Sequence, residues 1–289
     1  MERRRFLITG AGGLLGRHAV GWFSRYHDVV AARREDLGIT HPDAVNRWVN
    51  RISPDVIMNC AALSNVDACE RQPDDAFAVN AEGPRYLAQA AEQIGAQLIH
   101  FSTDYVFDGD KTTPYTIEDE PWPISIYGHS KLAGERAIRE TLARHYIIRV
   151  ARLFGRGGRN FASAILDIAR RDGRLLAIVD EIGSPTYVVD LAERVNAIVQ
   201  SGQHGTYHLT NQGVCSWAEF ATAALQIGQL HGVIIEQVQS ADLGRPARRP
   251  RYTAMRCLLS ERLGLEPLRP WTAAFAEFVH QQEKLRIED

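Results

Sequence analysis

The sequence predicts an α/β protein: a doubly wound parallel sheet with a smaller α/β lobe. Three features carry that prediction. Short apolar runs alternate with amphipathic stretches through the first half, a glycine-rich loop follows the first run, and the alternation loosens after Gly155. Strands alternating with helices imply parallel strands joined by right-handed crossovers. At 289 residues and 45% hydrophobic composition, the chain can bury a substantial core.

Arg5–Thr9, His27–Ala32, Asp55–Cys60, Gln97–Ser102 and Tyr146–Val150 read as buried strands, since they are short, apolar and bounded by turn signals. Between them Leu15–Ser24, Ala81–Ile94 and Ser130–Ala143 have helical patterning. Further on, Ala162–Arg171 and Trp217–Ile227 read as helices and Val233–Gln239 as a strand, while the Pro/Arg-rich Arg245–Arg251 reads as a loop. The expected division is a dinucleotide-binding domain over 1–155 and a mainly substrate-binding lobe over 156–289. The two would interleave, with the lobe closing over the carboxyl edge of the sheet.

Charge and composition exclude several classes of function. Lys and Arg number 33 against 35 Asp and Glu, which gives no reason to expect a nucleic-acid or membrane partner. No uncharged apolar run approaches the roughly 20 residues of a membrane-spanning helix. The basic start, Met1 to Arg5, precedes an apolar run that ends at Gly10, too short for the roughly 7–15 residues of a signal core. Cys60, Cys69, Cys215 and Cys257 contain no Cys-x-x-Cys pair, so a disulfide scaffold is not expected and a cytoplasmic location fits. His204 and His208 have a zinc-like spacing, but Gly205 and the strand-like residues after it argue against a helical pair, and no third ligand is apparent. No metal is expected.

The first strand runs into Gly10-Ala11-Gly12-Gly13-Leu14-Leu15-Gly16 and then a helix. Gly10, Gly13 and Gly16 permit a tight turn and a close backbone approach, and the first turn at Leu14 and Leu15 presents free N–H groups to a pyrophosphate. Past the second strand stand Arg33 and Arg34, which suit a 2′-phosphate and so favour NADPH. Glu35 and Asp36 follow, which keeps NADH use open.

Tyr127 and Lys131 are four apart, hence on one helix face. A tyrosine acid benefits from a nearby cation that favours its phenolate. Thr103, at the end of the Gln97–Ser102 strand, can bond a substrate carbonyl oxygen. The arginines of the Pro-stiffened loop, Arg245, Arg248, Arg249 and Arg251, suit bidentate contacts with a diphosphate.

With these motifs the sequence resembles the extended short-chain dehydrogenase/reductases, and within them the dTDP-4-dehydrorhamnose reductases. The resemblance runs through Asn59-Cys60-Ala61-Ala62, Ser102 to Gly109, Tyr127 to Glu135, Gly183 to Tyr187, and Arg249-Pro250 followed by Thr253. It implies a Rossmann fold and NADPH-dependent reduction of the C4 ketone of a dTDP-4-keto-6-deoxyhexose. Tyr127 would donate the proton, Lys131 would lower its pKa and bind ribose, and Thr103 would polarise the ketone. Ala61, Ala62 and Leu63 would line the cofactor groove; Val66, Val106, Phe107, Asn160 and Arg249 would border the sugar nucleotide. A homodimer is also implied.

Three departures stand out. Arg152 occupies a position where that family commonly has Trp, Gly38 stands for an Asp, and Arg17 and His18 stand where some members carry a magnesium-binding acid. The alternatives are another nucleotide-sugar 4-ketoreductase or 4-epimerase, or a non-catalytic subunit like the regulatory subunit of methionine adenosyltransferase. A 4,6-dehydratase would carry Thr-Asp-Glu, whereas Tyr105 follows Asp104 here.

Overall fold

In the computed structural model, residues 3–158 and 160–288 are described; Met1 and Glu2 of the basic start lie outside them. The chain opens with β1 (Arg5–Thr9), α1 (Leu14–Phe23), β2 (Asp28–Ala32), α2 (Pro42–Ile52) and β3 (Val56–Asn59). Then come α3 (Val66–Arg71), α4 (Pro73–Phe77), a π turn over Ala78–Glu82, α5 (Gly83–Ile94), β4 (Gln97–Thr103), α6 (Ile126–Thr141) and β5 (His145–Val150). The remainder contains β6 (Leu153–Phe154), α7 (Phe161–Asp172), β7 (Arg174–Ile178), β8 (Ile182–Gly183), β9 (Thr186–Tyr187), α8 (Val188–Ser201) and β10 (Gly205–His208). It ends with β11 (Cys215–Ser216), α9 (Trp217–Ile227), β12 (Ile234–Val238), α10 (Leu258–Arg262) and α11 (Trp271–Glu288).

Six strands form one sheet in the order β10-β5-β4-β3-β1-β2, every neighbouring pair parallel. One face packs on α1 and α8 through Ala19, Phe23, Leu191, Val195 and Ile198; the other packs on α2, α5 and α6 through Val49, Leu87, Ala91 and Ile138. Helices on both faces are what a parallel sheet requires, and they explain why its strands are mostly apolar. The expected doubly wound sheet is present. Its strand order reverses between β1 and β3, so the crevice at their carboxyl ends is where such a fold takes a ligand.

The chain returns to this sheet late. Helix α8 and strand β10 come from the second half, β10 pairing with β5 along Gly205–His208. The other late elements form three two-stranded ladders, β6 with β9, β7 with β12 and β8 with β11. Helices α7, α9 and α11 enclose an aromatic core of Phe154, Phe161, Phe220, Trp271, Phe275 and Phe278.

Local signals set several element ends. Asn160 and Ser163 close a capping box at the start of α7, as Ser216 and Glu219 do at α9. Helix α6 begins at Ile126, ahead of the expected Ser130, because the Ser125 hydroxyl accepts from the Gly128 N–H at 3.2 Å. The expected helix over Ala81–Ile94 begins instead at Gly83, with the π turn before it.

Candidate active site

At the switch point, Gly10 holds φ +65°, and a Cβ there would lie 2.5 Å from the Ala61 nitrogen. A Cβ on Gly16 would lie 2.2 Å from the Gly10 carbonyl oxygen, so both glycines are required for close packing of α1, β1 and the loop after β3. Among the described residues no side chain caps the first turn of α1, which leaves its N–H groups and partial positive charge for an anion. Leu14 is half-buried, whereas Leu15 turns into the core; its side chain therefore packs the helix rather than lining the groove. Arg17 and His18 tie this turn to the 155–158 loop, through Arg17 Nη1 to the Gly157 carbonyl at 3.4 Å and His18 Nε2 to the Arg156 carbonyl at 2.8 Å, while Arg17 Nε also donates to the Gly12 carbonyl at 2.8 Å.

Arg33 and Arg34 are exposed after β2, with the Arg33 side chain passing near Gly12. Across the crevice stand Ala61, Ala62 and Leu63, of which Ala62 is exposed. Asn80 from the π turn fixes that segment: its Oδ1 accepts from Leu63 N at 2.9 Å, and its Nδ2 donates to Leu63 O at 3.0 Å and Ser130 Oγ at 3.1 Å. A cradle of closely approaching backbone, an uncapped helix start and two exposed arginines fits a phosphorylated dinucleotide.

Helix α6 delivers Tyr127 and Lys131 to the end of β4. A Cβ on Gly128 would lie 2.2 Å from the Tyr105 carbonyl oxygen, and one on Gly134 would lie 2.2 Å from that of Asn80. These glycines let the helix press onto both turns. The Tyr105 and Tyr127 rings meet edge to face at 5.9 Å. The Thr103 hydroxyl opposes the rise of the Tyr127 pKa; it donates to Asp104 Oδ1 at 3.0 Å and accepts from the Tyr105 N–H at 3.2 Å. Asp104 is 3% exposed and its Oδ2 has no hydrogen-bond partner among the described residues, so burial raises its carboxyl pKa.

Lys131 is 1% exposed, its Nζ donating to the Phe101 carbonyl at 2.6 Å and standing 3.3 Å from His100 Nε2. Burial lowers its pKa to about 8 from 10.5. The expected depression of the Tyr127 pKa is absent: burial pushes the phenol above 10, with only the Thr103 hydroxyl opposing. The physical reason is that Lys131 spends its polar contacts on β4.

The sugar-nucleotide residues divide. Val66 is half-buried at the start of α3. Val106 and Phe107 are fully buried, Phe107 stacking on Tyr115 at 4.2 Å, so their side chains support the site from beneath rather than bordering it. Asn160 is committed to capping α7 and donates to the Gly155 carbonyl at 2.7 Å. Arg152 adopts φ +45°, donates to the carbonyls of Cys215 (2.7 Å) and Glu181 (2.8 Å), and lies 4.1 Å over the Trp217 ring. An indole is therefore beside this position after all, supplied by α9.

Within the arginine loop, Arg249 grips Asp67 with both guanidinium nitrogens (2.6 and 2.8 Å), which holds the Asp67 carboxyl down at about 2, and Arg245 pairs with Glu181. Arg248 and Arg251 are exposed and share with them an open pocket of about 260 Å³. His208 faces Arg149 and the Tyr115 carbonyl, and His204 packs on the Tyr146 ring. Among the described residues no cluster of His, Cys, Asp and Glu could hold a metal, and no helix is long and apolar enough to cross a membrane.

Asn59, His100, Asn80 and the buried Glu135–Arg149 pair were not singled out from sequence. Asn59 carries a faint signal, a polar residue closing an apolar strand; the others become visible only once the register is known.

Residues 4–284 match the family described as the RmlD substrate binding domain. A dTDP-4-dehydrorhamnose reductase of Streptomyces griseus is 40% identical over 95% of this chain and 93% of its own. The spore coat polysaccharide biosynthesis protein SpsK of Bacillus subtilis is 37% identical over 96% of this chain and 98% of its own. The crystal structure of dTDP-4-dehydrorhamnose reductase from Bacillus anthracis in complex with NADP superposes with a TM-score of 0.94 at 34% identity, over 97% of this chain and all (100%) of the other. A glycine cradle at the switch point, a Thr–Tyr–Lys corner beside it and full-length similarity agree: the chain belongs to the RmlD substrate binding domain family.

Proposed function

We propose that this protein is an NADPH-dependent reductase of the C4 ketone of a dTDP-4-keto-6-deoxyhexose, forming dTDP-L-rhamnose from dTDP-4-dehydrorhamnose. The observation that carries the reading is that α6 brings Tyr127 and Lys131 together to the end of β4 where Thr103 stands, Lys131 bonding the Phe101 carbonyl and the Tyr127 ring meeting Tyr105.

Gly10, Gly13, Gly16 and the first turn of α1 would hold the pyrophosphate, Ala61 to Leu63 would border the ribose, and Arg33 and Arg34 would take the 2′-phosphate. Bound there, reduced nicotinamide supplies the hydride. Tyr127 supplies the proton: its raised pKa keeps the phenol protonated at neutral pH, ready to donate to the alkoxide oxygen as charge develops. Thr103 has a single hydroxyl hydrogen, given to Asp104 Oδ1 before substrate enters; to polarise the ketone it turns that hydrogen from the carboxylate to the carbonyl oxygen beside Tyr127. Lys131 keeps a cation behind this corner.

The lobe beyond residue 155 would receive the sugar nucleotide. Arg248 and Arg251, exposed at the edge of the arginine pocket, would meet its diphosphate. Arg152, stacked on Trp217, would set which sugar ring fits. A homodimer in the cytoplasm completes the proposal.

The test is NADPH oxidation with dTDP-4-keto-6-deoxy-L-lyxo-hexulose. Turnover with release of dTDP-L-rhamnose supports the reading. Purified protein that turns over no 4-keto sugar nucleotide would overturn it and leave the non-catalytic alternative. Tightly held NAD with 4-epimerisation would replace it with an epimerase.

A further inference from the structure

A polar ladder crosses three inner strands of the sheet at the carboxyl ends of β1 and β3. Thr9 pairs with Asn59 between β1 and β3, and Asn59 pairs with His100 between β3 and β4. All three are no more than 1% exposed. Parallel strands covered on both faces are ordinarily apolar, so polar residues at one register in three neighbouring strands call for a reason.

Their hydrogen bonds have a fixed polarity. The Ala61 N–H donates to Asn59 Oδ1 at 3.1 Å, and a backbone N–H cannot accept, so the orientation of the Asn59 amide is settled. Thr9 donates to the same oxygen at 2.7 Å. The Asn59 Nδ2 group therefore faces His100, 3.0 Å from its Nδ1. A protonated Nδ1 would set donor against donor; Nδ1 must accept, and the hydrogen of the neutral ring sits on Nε2. That N–H is aimed at Lys131 Nζ, 3.3 Å away.

A charged ammonium has three hydrogens and no lone pair, so it meets this N–H as donor against donor. A neutral amine donates to the Phe101 carbonyl and accepts from His100. We propose that His100, locked by Asn59 in its Nε2–H tautomer, is a positioning residue that loosens the Lys131 proton and thereby sets the alkaline edge of activity. This rests on the reductase reading, in which the Lys131 ammonium is the cation behind the corner where charge develops on the substrate oxygen.

The other groups facing Lys131 do not remove the effect. Glu135, one turn along α6, shares its carboxylate among Arg149, Arg139 and Ser102. Cys60, on the loop after β3, is a thiol pushed up by burial and so uncharged at neutral pH. Burial also drives His100 well below its ordinary 6.5, which agrees with a neutral ring, and Lys131 titrates at about 8.

Two variants separate the tautomer from mere packing. His100→Gln can turn its amide oxygen toward Lys131. Asn59→Asp keeps the bonds to Ala61 and Thr9 but accepts from Nδ1–H, which releases the tautomer lock; its added negative charge also raises Lys131, so His100→Gln is the variant that isolates the His100 contribution. Both should raise the alkaline edge of kcat by about one pH unit.

The direct readout needs no substrate. Nitrogen-15 shifts of labelled histidine, with and without NADP⁺, should show an Nε2–H tautomer for His100 from pH 6 to 9 and the Nδ1–H form in Asn59→Asp. The Lys131 side-chain resonance should titrate near 8 in the wild type and higher in His100→Gln. An Nδ1–H or charged His100 in the wild type, or an unmoved Lys131 titration in both variants, overturns the proposal. A protein that turns over nothing defeats the reductase reading, while the resonances still decide this one.

Discussion

Helix α6 carries two polar clusters of opposite character. Toward its C-terminal half, Glu135 is fully enclosed and every bond is made: Arg149 grips it with two nitrogens at 2.9 and 2.7 Å, Arg139 adds a third bond at 2.6 Å and Ser102 a fourth at 2.5 Å. The N-terminal half is left incomplete. There Tyr127 is a raised phenol, Asp104 keeps an oxygen without a hydrogen-bond partner among the described residues, and Lys131 faces an N–H. Buried polar groups are ordinarily satisfied, so the incomplete end is where the structure withholds bonds that a ligand can supply. The complete end anchors the helix to β5 and keeps the other end in register.

The largest test of this contrast is Tyr127→Phe. Removing the hydroxyl takes away the proton donor while the ring still meets Tyr105, so kcat should fall by about 10²–10⁴-fold and the urea midpoint should barely move. Rate and stability should part company. If they fall together, the N-terminal half is structural after all.

Glu135→Gln should do the reverse. It leaves Arg149 buried with its charge uncompensated, at a cost of about 3–5 kcal/mol in unfolding free energy, while kcat per folded molecule stays within a few-fold. The same pair predicts an acid limb. Arg149 foremost holds the Glu135 carboxyl down at about 2 against an ordinary 4.5. Its stabilisation is therefore complete above pH 4.5 and lost as pH falls toward 2. Denaturation midpoints measured from pH 7 to 3 should converge between wild type and Glu135→Gln.

These two ends were unequally legible in the sequence. Tyr127, Lys131 and Thr103 follow from a helical spacing and a strand end, and the glycine loop from its place after the first strand. The Glu135 cluster does not, because Glu135, Arg149 and Ser102 come from a helix and two strands whose adjacency requires the sheet order. Thr9, Asn59 and His100 were hidden for the same reason: each looks like an isolated polar residue in an apolar run until the register aligns them. The late strand β10 escaped as a member of the main sheet because a chain that leaves a sheet for about 50 residues gives no local sign of its return. Val106 and Phe107 show the opposite error, a position near the site read as contact where both side chains are fully buried.

The smallest effect should come from the unpartnered oxygen. Burial raises the Asp104 carboxyl above its ordinary 3.8. For an acid with a raised folded-state pKa, the folded protein binds the proton more tightly than the unfolded chain, so stability declines as pH rises through and above the ordinary value. Asp104→Asn keeps the shape and the Thr103 contact and removes the charge. It should therefore gain about 1 kcal/mol at neutral pH, where the wild type must bury a costly ionisable group. That gain should vanish below about pH 3, under the ordinary 3.8, where the wild-type carboxyl is protonated in both states. Paired urea titrations at the two pH values measure it. An Asn variant less stable at both would mean that the Asp104 charge is compensated by the Thr253 and Thr103 hydroxyls and by Arg152, and that the two ends of α6 are alike.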